Sequence, residues 1–426
     1  MEIKLPYGSE KIIATEIPDE NVYYIADRSG APAPRELAKR IDEGLKKPIG
    51  VPPLSRMVNK NSKAVVLVDD VTRPTPQRSI LPALLNGLNE ARVPDKNIEI
   101  IIALGTHRAM SQPEIEDRYG KEVIERVSII NHDYKDEKNL ARMRKTRLGT
   151  PIRVNKRVRE ADFVIGVGNI VPHCYAGWAG GGKIVQPGVC GEETTEMTHL
   201  LAAELIRNGW LAGKLEGNEV RREIEAVALN AGLKFVVNTV LNREDEVCHL
   251  VIGDPIKAFK EGVKTAEKMY CPKVPGYADI IIVSSYPADI DYWQAEKALS
   301  YAMMGVKPGG TVIFVTPCPE RISPIHGELF KERAKLSYEE NLRAIKSGEV
   351  NDVIGGAGVL IHAQLMERAE VICYSDGLKE EYKEALGFKH ASTVEEAVEM
   401  ALKSQGEKAK IGVLACGDII PLIEVQ

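Results

Sequence analysis

Short, continuous apolar runs recur along the N-terminal part of the chain, and a polar loop follows each of them. Three such runs are residues 64–68, 98–103 and 162–167. Runs of this length without polar alternation are typical of strands that are buried on both faces of a parallel sheet. Segments with helical spacing of apolar residues separate them, for example residues 81–88 and 114–119. This alternation of strand and helix predicts an α/β fold with a mostly parallel sheet.

A β-hairpin is predicted at the start of the chain, where residues 2–6 and 11–15 flank a Gly8-Ser9 turn. The other elements predicted in this part of the chain are a helix at 35–41, strands at 127–131 and 235–241, an edge hairpin near 151–154, and helices at 218–231 and 255–268.

A stretch rich in proline and glycine, residues 271–276, predicts a junction between two domains. We therefore predict an N-terminal α/β domain over residues 1–272 and a C-terminal α/β domain over residues 276–405. The tail, residues 408–426, contains the apolar run 411–414, which we expect to rejoin the first domain as a strand. The elements predicted for the second domain are strands at 278–285, 311–315 and 370–374, and helices at 294–304 and 394–403.

The composition excludes several classes of function. Hydrophobic residues make up 44% of the 426 residues and charged residues 27%, as in ordinary soluble proteins. The net charge of -5 gives no electrostatic reason to bind nucleic acid or an anionic membrane. No basic and apolar leader is present, and no apolar run approaches the length of a transmembrane helix. The seven cysteines form no CxxC pair, which argues against a disulfide framework or a zinc ribbon. We expect a cytoplasmic protein with a small-molecule substrate.

Polar loops follow three of the predicted strands, and they carry most of the candidate chemistry. They are residues 70–73, 107–108 and 173–183. Ligands of open α/β sheets bind beyond the carboxyl ends of the strands. The topology alone therefore predicts a site where these loops meet.

The third loop is the most unusual stretch of the chain, because glycines and a lysine follow a strand directly. Glycine lets the backbone come close to a ligand, N–H groups can point at a phosphate, and lysine supplies charge. It is not a Walker loop, since the glycine spacing differs and Ile184 stands where a serine or threonine would bind magnesium. Lys183 could bind a phosphate, attach a cofactor covalently or lie at the surface. The glycine run argues against the surface position.

Histidines stand in two of these loops and after the third. His107, taken alone, is most simply a loop residue that caps the next helix. His173 follows a proline and precedes the glycine run, which favours a function. Two histidines on separate loops at one sheet edge can serve opposite faces of a small substrate as acid and base. His199 is predicted in a helix, where a lone histidine is more often structural, and no HxxxH or HExxH motif supports zinc.

Further candidates could bind a carboxylate. Arg73, in a turn stiffened by prolines, could bind one bidentately or simply pair with Asp70. Gln294 and Lys297 share a helical face and could reach a cleft or be solvated. Four further histidines have no supporting context and are predicted to be structural: His132, His249, His326 and His390.

Together these motifs resemble the nickel-pincer-dependent lactate racemase family. The resemblance covers nearly the whole chain, in family order. Its motifs are Asp70-Val71-Thr72-Arg73-Pro74, Gly105-Thr106-His107-Arg108, the segment from His173 through Gly181-Gly182-Lys183 and Pro187-Gly188 to His199, and Trp293-Gln294-Ala295-Glu296-Lys297. It implies two α/β domains with mostly parallel sheets, the active site in the interdomain cleft, and a racemase or epimerase of 2-hydroxy acids.

The resemblance also implies a cofactor and residue roles. The cofactor is a nickel pincer, pyridinium-3,5-bisthiocarboxylate mononucleotide, bound mainly by the N-terminal domain. By resemblance, His199 ligates nickel, Lys183 forms a thioamide tether, and His107 and His173 are the acid/base pair. The residues implied beside the cofactor are Thr72, Gly180, Gly181 and Gly182, and those implied around the substrate are Asp70, Arg73, Trp293, Gln294 and Lys297. The implied mechanism moves the C2 hydride to the cofactor and back through a planar 2-keto acid.

Three positions depart from the family pattern. Gly182 stands where lactate racemases commonly carry arginine, Trp293 replaces a tyrosine, and Ile361 replaces a tryptophan near the substrate. A changed lining around unchanged catalytic residues predicts a substrate with a longer or branched side chain.

Two other functions remain open. A non-catalytic carrier of a nucleotide or nickel cofactor would keep Lys183 and the glycines without needing His107 or His173. A nicotinamide dehydrogenase is disfavoured, because no GxGxxG turn follows the first α/β strand. If the protein is a racemase of this family, we expect transient contact with the enzymes that synthesise its cofactor.

Overall fold

Two six-stranded sheets form the framework of the computed structural model, which describes residues 1–424. The strands are β1 (Glu2–Tyr7), β2 (Lys11–Glu16), β3 (Val22–Ala26), β4 (Ala64–Val68), β5 (Ile98–Ile102), β6 (Ser128–Asn131), β7 (Leu140–Met143), β8 (Ile152–Asn155), β9 (Phe163–Asn169), β10 (Pro172–His173), β11 (Gly177–Trp178), β12 (Leu233–Leu241), β13 (Val247–Gly253), β14 (Lys273–Val274), β15 (Ala278–Ser284), β16 (Val306–Val315), β17 (Glu370–Tyr374), β18 (Lys389–His390), β19 (Ile411–Leu414) and β20 (Leu422–Ile423).

Helices cover both sheets. They are α1 (Leu37–Lys46), α2 (Leu54–Met57), α3 (Gln77–Glu90), α4 (Gln112–Tyr119), α5 (Lys121–Arg126), α6 (Lys156–Glu160), α7 (Glu192–Ile206), α8 (Glu219–Ala231), α9 (Lys257–Tyr270), α10 (Tyr292–Gly305), α11 (Gly327–Arg333), α12 (Tyr338–Ser347), α13 (Val353–Arg368), α14 (Glu380–Ala385) and α15 (Val394–Gln405). Within residues 1–424, no helix is long and apolar enough to cross a membrane.

The first sheet has the order β13-β12-β9-β4-β5-β6, parallel except for the edge strand β13. All five residues of β4 are buried. Val66 and Val68 pack into the core on one face of the sheet, and Val65 and Leu67 into the core on the other. Burial on both faces explains why this strand is apolar at every position. The predicted strands β4, β5 and β9 are confirmed, and their carboxyl ends meet at one edge.

The second sheet is parallel throughout, in the order β18-β17-β16-β15-β19-β3. Its strands also bury both faces, since Ile281 and Val283 of β15 enter one core and Ile280 and Ile282 enter another. Helix α13 packs against α7 of the first domain and joins the two units. The predicted fold class, two α/β domains with mostly parallel sheets, is confirmed.

The tail contradicts its prediction. Strand β19 lies between β15 and β3 of the second sheet, with Ile411 opposite Ile280, and does not join the first domain. The N-terminal hairpin, predicted correctly as a hairpin, packs on this second sheet too, because Leu5 and Val413 share one core. The range 1–272 therefore overstates the first domain at its start. Residues 425 and 426 of the predicted tail lie outside the described residues.

The chain passes between the domains after β3, and a buried arginine marks the crossing. Arg28 is 1% exposed. Its Nη1 lies 2.7 Å from an oxygen of Asp245 in the first domain, and its Nε lies 3.5 Å from Asp418 in the second. Burial raises the pKa of Asp418 to about 6, although the charge of Arg28 acts against this rise. One cation thus pairs with carboxylates from both domains.

Candidate active site

A cavity lies between the domains, at the carboxyl ends of β4, β5 and β9. Helices α10 and α13 of the second domain close it from the other side. Most of the predicted site residues line it: Asp70, Thr72, Arg73, His107, His173, Gly180, Lys183, His199, Trp293, Gln294 and Lys297. Gly181 and Gly182 do not.

His107 is held at both ring nitrogens by groups from different domains. Its Nδ1 donates to Oδ2 of Asp70 at 2.6 Å, and its Nε2 accepts from the amide of Gln294 at 2.9 Å. Burial lowers the pKa of His107, although the negative charge of Asp70 opposes this effect. Burial alone would raise the pKa of Asp70, but His107 and Arg73 hold it below its usual range. The pair is therefore a neutral imidazole oriented by a carboxylate, with a basic nitrogen facing the cavity.

Two cations surround the oxygen of Gln294. Nζ of Lys297 donates to Oε1 of Gln294, and Nη1 of Arg73 lies 3.4 Å from the same atom. Arg73 also donates to Oγ1 of Thr72 at 2.9 Å, and that hydroxyl donates to Asp70 at 2.6 Å. Burial, followed by the charge of Arg73, lowers the pKa of Lys297 to about 7. The two cations form a position suited to a carboxylate.

His173 is 2% exposed, and the short strand pair β10–β11 fixes it in the wall of the cavity. Burial, followed by the charges of Lys183 and Lys297, lowers the pKa of His173 well below its usual range. Its ring meets the ring of Tyr175 edge-on, with 4.4 Å between centroids. His173 is thus an uncharged imidazole in the same cavity as His107.

His199 on helix α7 has one nitrogen committed to the backbone and one facing Tyr175. Nδ1 donates to the carbonyl of Thr195, one turn earlier, at 2.9 Å. Nε2 accepts from the Tyr175 hydroxyl at 2.8 Å. Burial lowers the pKa of His199 to about 3, although the bond to Thr195 acts in the opposite direction. A fixed Nδ1–H leaves the Nε2 lone pair available, which is the state in which histidine binds a metal.

Lys183 lies in a short 3₁₀ helix, Gly181–Ile184, that follows the glycine loop. Its amine has no hydrogen-bond partner among the described residues, and it lies 5.8 Å from the centroid of the Tyr175 ring. Burial, followed by the charges of Arg73 and Lys297, lowers the pKa of Lys183 well below its usual range. A desolvated, uncharged amine is a nucleophile, as a covalent attachment requires.

The comparison with known proteins decides the family. A family described as the lactate racemase N-terminal domain matches residues 7–209, and one described as the lactate racemase C-terminal domain matches residues 274–420. The chain belongs to the lactate racemase family. It is accordingly an isomerase.

Curated members of the lactate racemase family match along their whole length. A lactate racemase of Thermoanaerobacterium thermosaccharolyticum is 26% identical over 425 residues, which cover 97% of this chain and 97% of that protein. A lactate racemase of Lactiplantibacillus plantarum is 28% identical over 425 residues, which cover 97% and 98%.

Solved structures agree with this fold. The lactate racemase apoprotein of Thermoanaerobacterium thermosaccharolyticum superposes with a TM-score of 0.88 at 25% identity, covering 100% of both chains. A protein of Thermotoga maritima, at 20% identity, superposes with a TM-score of 0.74 over 92% of this chain and 100% of that one, and shows the fold alone.

The three departures from the lactate racemase pattern fall in different places. Ile361 and Trp293 line the cavity, as the sequence predicted for a changed lining. Gly182 packs against helix α8 instead, where an added Cβ would lie 2.9 Å from Cβ of Ala228. Gly181 packs on Arg221 and Phe259 in the same way. Gly181 and Gly182 allow the loop to approach α8. Of the three consecutive glycines, Gly180 is the one that lines the cavity.

Sequence reasoning missed Asn169, although it ends β9 directly before the glycine loop. The side chain lines the cavity and is 2% exposed, yet neither its amide nitrogen nor its oxygen has a partner among the described residues. Buried amides are normally hydrogen-bonded, so this one points to a polar ligand.

Tyr175 and Asp69 were missed as well. Tyr175 lies in the third loop, where its ring meets that of His173 and its hydroxyl donates to His199. Asp69 accepts from Gln77 at 2.8 Å and from Arg118 at 2.7 Å, which fixes the loop that carries Asp70. The Asp-Asp pair at the end of β4 was the available signal.

The residues fit the cofactor that the lactate racemase resemblance implies. No group of three or more His, Cys, Asp or Glu side chains suited to a metal occurs in residues 1–424. Nε2 of His199 offers one nitrogen donor to the cavity, which fits a metal whose other ligands belong to a cofactor. Lys183 and Asn169 add a nucleophile and an unpaired amide to the same cavity.

Proposed function

We propose that the protein interconverts the two configurations at C2 of a 2-hydroxy acid, using a nickel-pincer pyridinium mononucleotide. The observation that carries the proposal is that His107 and His173, from separate loops, line one cavity with Lys183 and His199. The curated relatives named lactate racemases support lactate or a related acid as substrate.

The cofactor would be held through three groups. Nε2 of His199 would ligate the nickel, Lys183 would form the tether, and Asn169 would bind a polar group of the nucleotide. Nickel accepts imidazole together with sulfur ligands, so this donor set suits it. When bound, the cofactor would accept hydride from C2 and return it, with a 2-keto acid formed in between.

Arg73 and Lys297 would bind the substrate carboxylate. Their positive groups converge on Gln294 in the absence of substrate. Guanidinium and ammonium together fix a carboxylate in orientation as well as in place. This orientation sets which face of C2 is presented for the reaction.

His107 would remove the hydroxyl proton on one face. Its Nε2 carries the lone pair, and Asp70 at 2.6 Å would stabilise the imidazolium that forms. The substrate hydroxyl would take the position on Nε2 that the Gln294 amide now occupies, which frees Gln294 to bind the substrate.

His173 would act on the opposite face. Since its pKa is lowered by burial, it is neutral near pH 7 and able to accept a proton. A planar keto acid can be reduced from either side, so a racemase needs an acid/base group on each. The opposite enantiomer would form when His173, protonated from solvent, donates that proton to the substrate oxygen, while His107 releases to solvent the proton that it took.

Racemisation in D2O tests whether the hydrogen at C2 moves as a hydride. The hydride returns from the cofactor and not from water, so the racemised product formed in D2O should keep hydrogen at C2. Proton NMR of the product measures this directly. Deuterium at C2 at the rate of racemisation would refute the hydride route and point to deprotonation.

Single-residue variants separate catalysis from cofactor carriage. Protein made alongside the cofactor-synthesis enzymes should show the added mass and nickel, and Lys183→Ala should lose the covalent mass. His107→Ala and His173→Ala should keep nickel and cofactor while losing racemisation. Full physiological activity in both histidine variants would support the carrier function instead.

A further inference from the structure

A second, smaller cavity adjoins the first at the catalytic histidine, His107. The two cavities share a wall formed by Asp70, Thr72, Thr106, His107, Trp293 and Gln294. A substrate whose C2 lies at His107 therefore lies directly beside this second cavity. We call this second cavity the side pocket.

His326 gives the side pocket a polar group that nothing else in the protein uses. Its Nδ1 lies 2.7 Å from Oδ2 of Asp352, while its Nε2 is buried and has no partner in residues 1–424. The residue is 3% exposed. Asp352 does not line the pocket, so the ring edge opposite Asp352 is the one available to a ligand. Buried polar atoms without a partner are rare in folded proteins.

The imidazole is held firmly in this position. Trp293 packs against it with 4.5 Å between ring centroids and an angle of 39° between the ring planes. On its other side, Trp293 packs so closely on Gly358 that an added Cβ there would lie 2.3 Å from the indole. Trp293 is one of the positions that depart from the family pattern, and here it both lines the reaction cavity and supports His326.

The charges around the side pocket select the kind of group that fits. Glu320 and Asp291 line it, and the guanidinium of Arg108 is already paired with Glu320 at 2.7 Å and Glu114 at 2.8 Å. A second substrate carboxylate would meet two acidic side chains and no free cation in this wall. A hydroxyl is uncharged, and it can donate to or accept from Nε2. A purely alkyl side chain would leave Nε2 without a partner.

We propose that the side pocket binds a hydroxyl on the substrate chain beyond C2, so that the preferred substrates are polyhydroxy acids. This inference rests on the proposed function for the reaction at C2 and adds the substrate class. His326 is the residue that binds the added hydroxyl.

Matched acids that differ by one hydroxyl test the inference. The pairs are 2,3-dihydroxypropanoate with lactate, and 2,4-dihydroxybutanoate with 2-hydroxybutanoate. The readout is the ratio of kcat/KM within each pair, measured on one preparation of holoenzyme, so that cofactor loading cancels. One hydrogen bond to a neutral partner corresponds to roughly tenfold. We expect the hydroxylated acid to be preferred by about tenfold in at least one pair.

Three variants test whether His326 causes the preference for the hydroxylated acid. His326→Leu should reduce the ratio to near one, and His326→Gln, whose amide can donate and accept, should retain part of it. His249→Leu is the matched control, since His249 lies in β13 and lines neither cavity, and should leave the ratio unchanged. An unchanged ratio in His326→Leu, a wild-type preference for the unhydroxylated acid in both pairs, or a preference for 2-hydroxybutanedioate would each overturn the inference.

Calorimetric binding of the same acids to the holoprotein separates this inference from the proposed function. Loaded protein that racemises none of the acids would count against the proposed function. The ratio of dissociation constants would still decide the side pocket, since it requires no turnover. Tighter binding of the hydroxylated acid, lost in His326→Leu, supports the inference, and equal binding within both pairs overturns it.

Discussion

Single residues determine the charge state of the site, because most of its titratable groups are buried. His107, His173 and His199 all have lowered pKa values, with burial as the largest cause. What differs is the group that fixes each ring: a carboxylate for His107, a backbone carbonyl for His199. In both cases the fixed Nδ1–H leaves the lone pair on Nε2.

Asp70→Asn should reduce kcat by about 100-fold or more, because an amide cannot stabilise imidazolium and can reverse the tautomer of His107. Steady-state kinetics on nickel-loaded protein measures this. Asp117→Asn, at an exposed position on α4, is the matched control and should keep wild-type kcat. Wild-type kcat in Asp70→Asn would remove Asp70 from the mechanism.

Lys297 should give kcat/KM an alkaline limb. Its pKa is lowered to about 7, so the ammonium is present below pH 7 and is lost as the pH rises through that value. Binding of a carboxylate should weaken over the same interval. In Lys297→Arg the guanidinium stays charged, and the limb should move to higher pH. The pH profile of kcat/KM checks this, and an identical limb in both proteins would assign it to another group.

At the scale of elements, the glycine loop depends on its close approach to helix α8. Gly182→Ala should lower the free energy of unfolding by about 1–3 kcal/mol, because the new Cβ meets Ala228 at 2.9 Å. Ala228→Gly removes the obstacle, so the double variant should lose less than the sum of the single losses. Urea denaturation of the four proteins measures this coupling. If the two losses of stability simply add, the contact between residues 182 and 228 does not determine how closely the loop approaches α8.

Sequence patterns predicted those elements whose burial is continuous. Strands β4, β5 and β9 were found because both faces of each are covered, and the loops after them carried the predicted site. Strand β19 was found but assigned to the wrong sheet, since an isolated apolar run fits either one. The orphaned nitrogen of His326 and the amide of Asn169 could not be predicted, because only the folded chain determines whether a polar atom has a partner.

At the scale of the whole molecule, one buried cation pairs with carboxylates of both domains. Arg28→Met should lower stability by about 3–5 kcal/mol, because it leaves Asp418 and Asp245 without their partner. Thermal and urea unfolding measure the loss. Arg222→Met, which removes an exposed pair with Glu219, is the control and should change stability by about 0–1 kcal/mol. Equal effects of the two substitutions would mean that Arg28 does not join the domains.

The position of β3 also fixes the order in which the protein can be completed during synthesis. Among residues 1–424, its only neighbour in the sheet is β19, which begins at Ile411. The strand therefore remains unpaired until the ribosome has made the chain through β19. The strands of the first sheet all lie between β3 and β19 in the sequence, so they are synthesised before β19. The loops proposed to hold the nucleotide thus form while the opposite wall of the cleft is still unfinished.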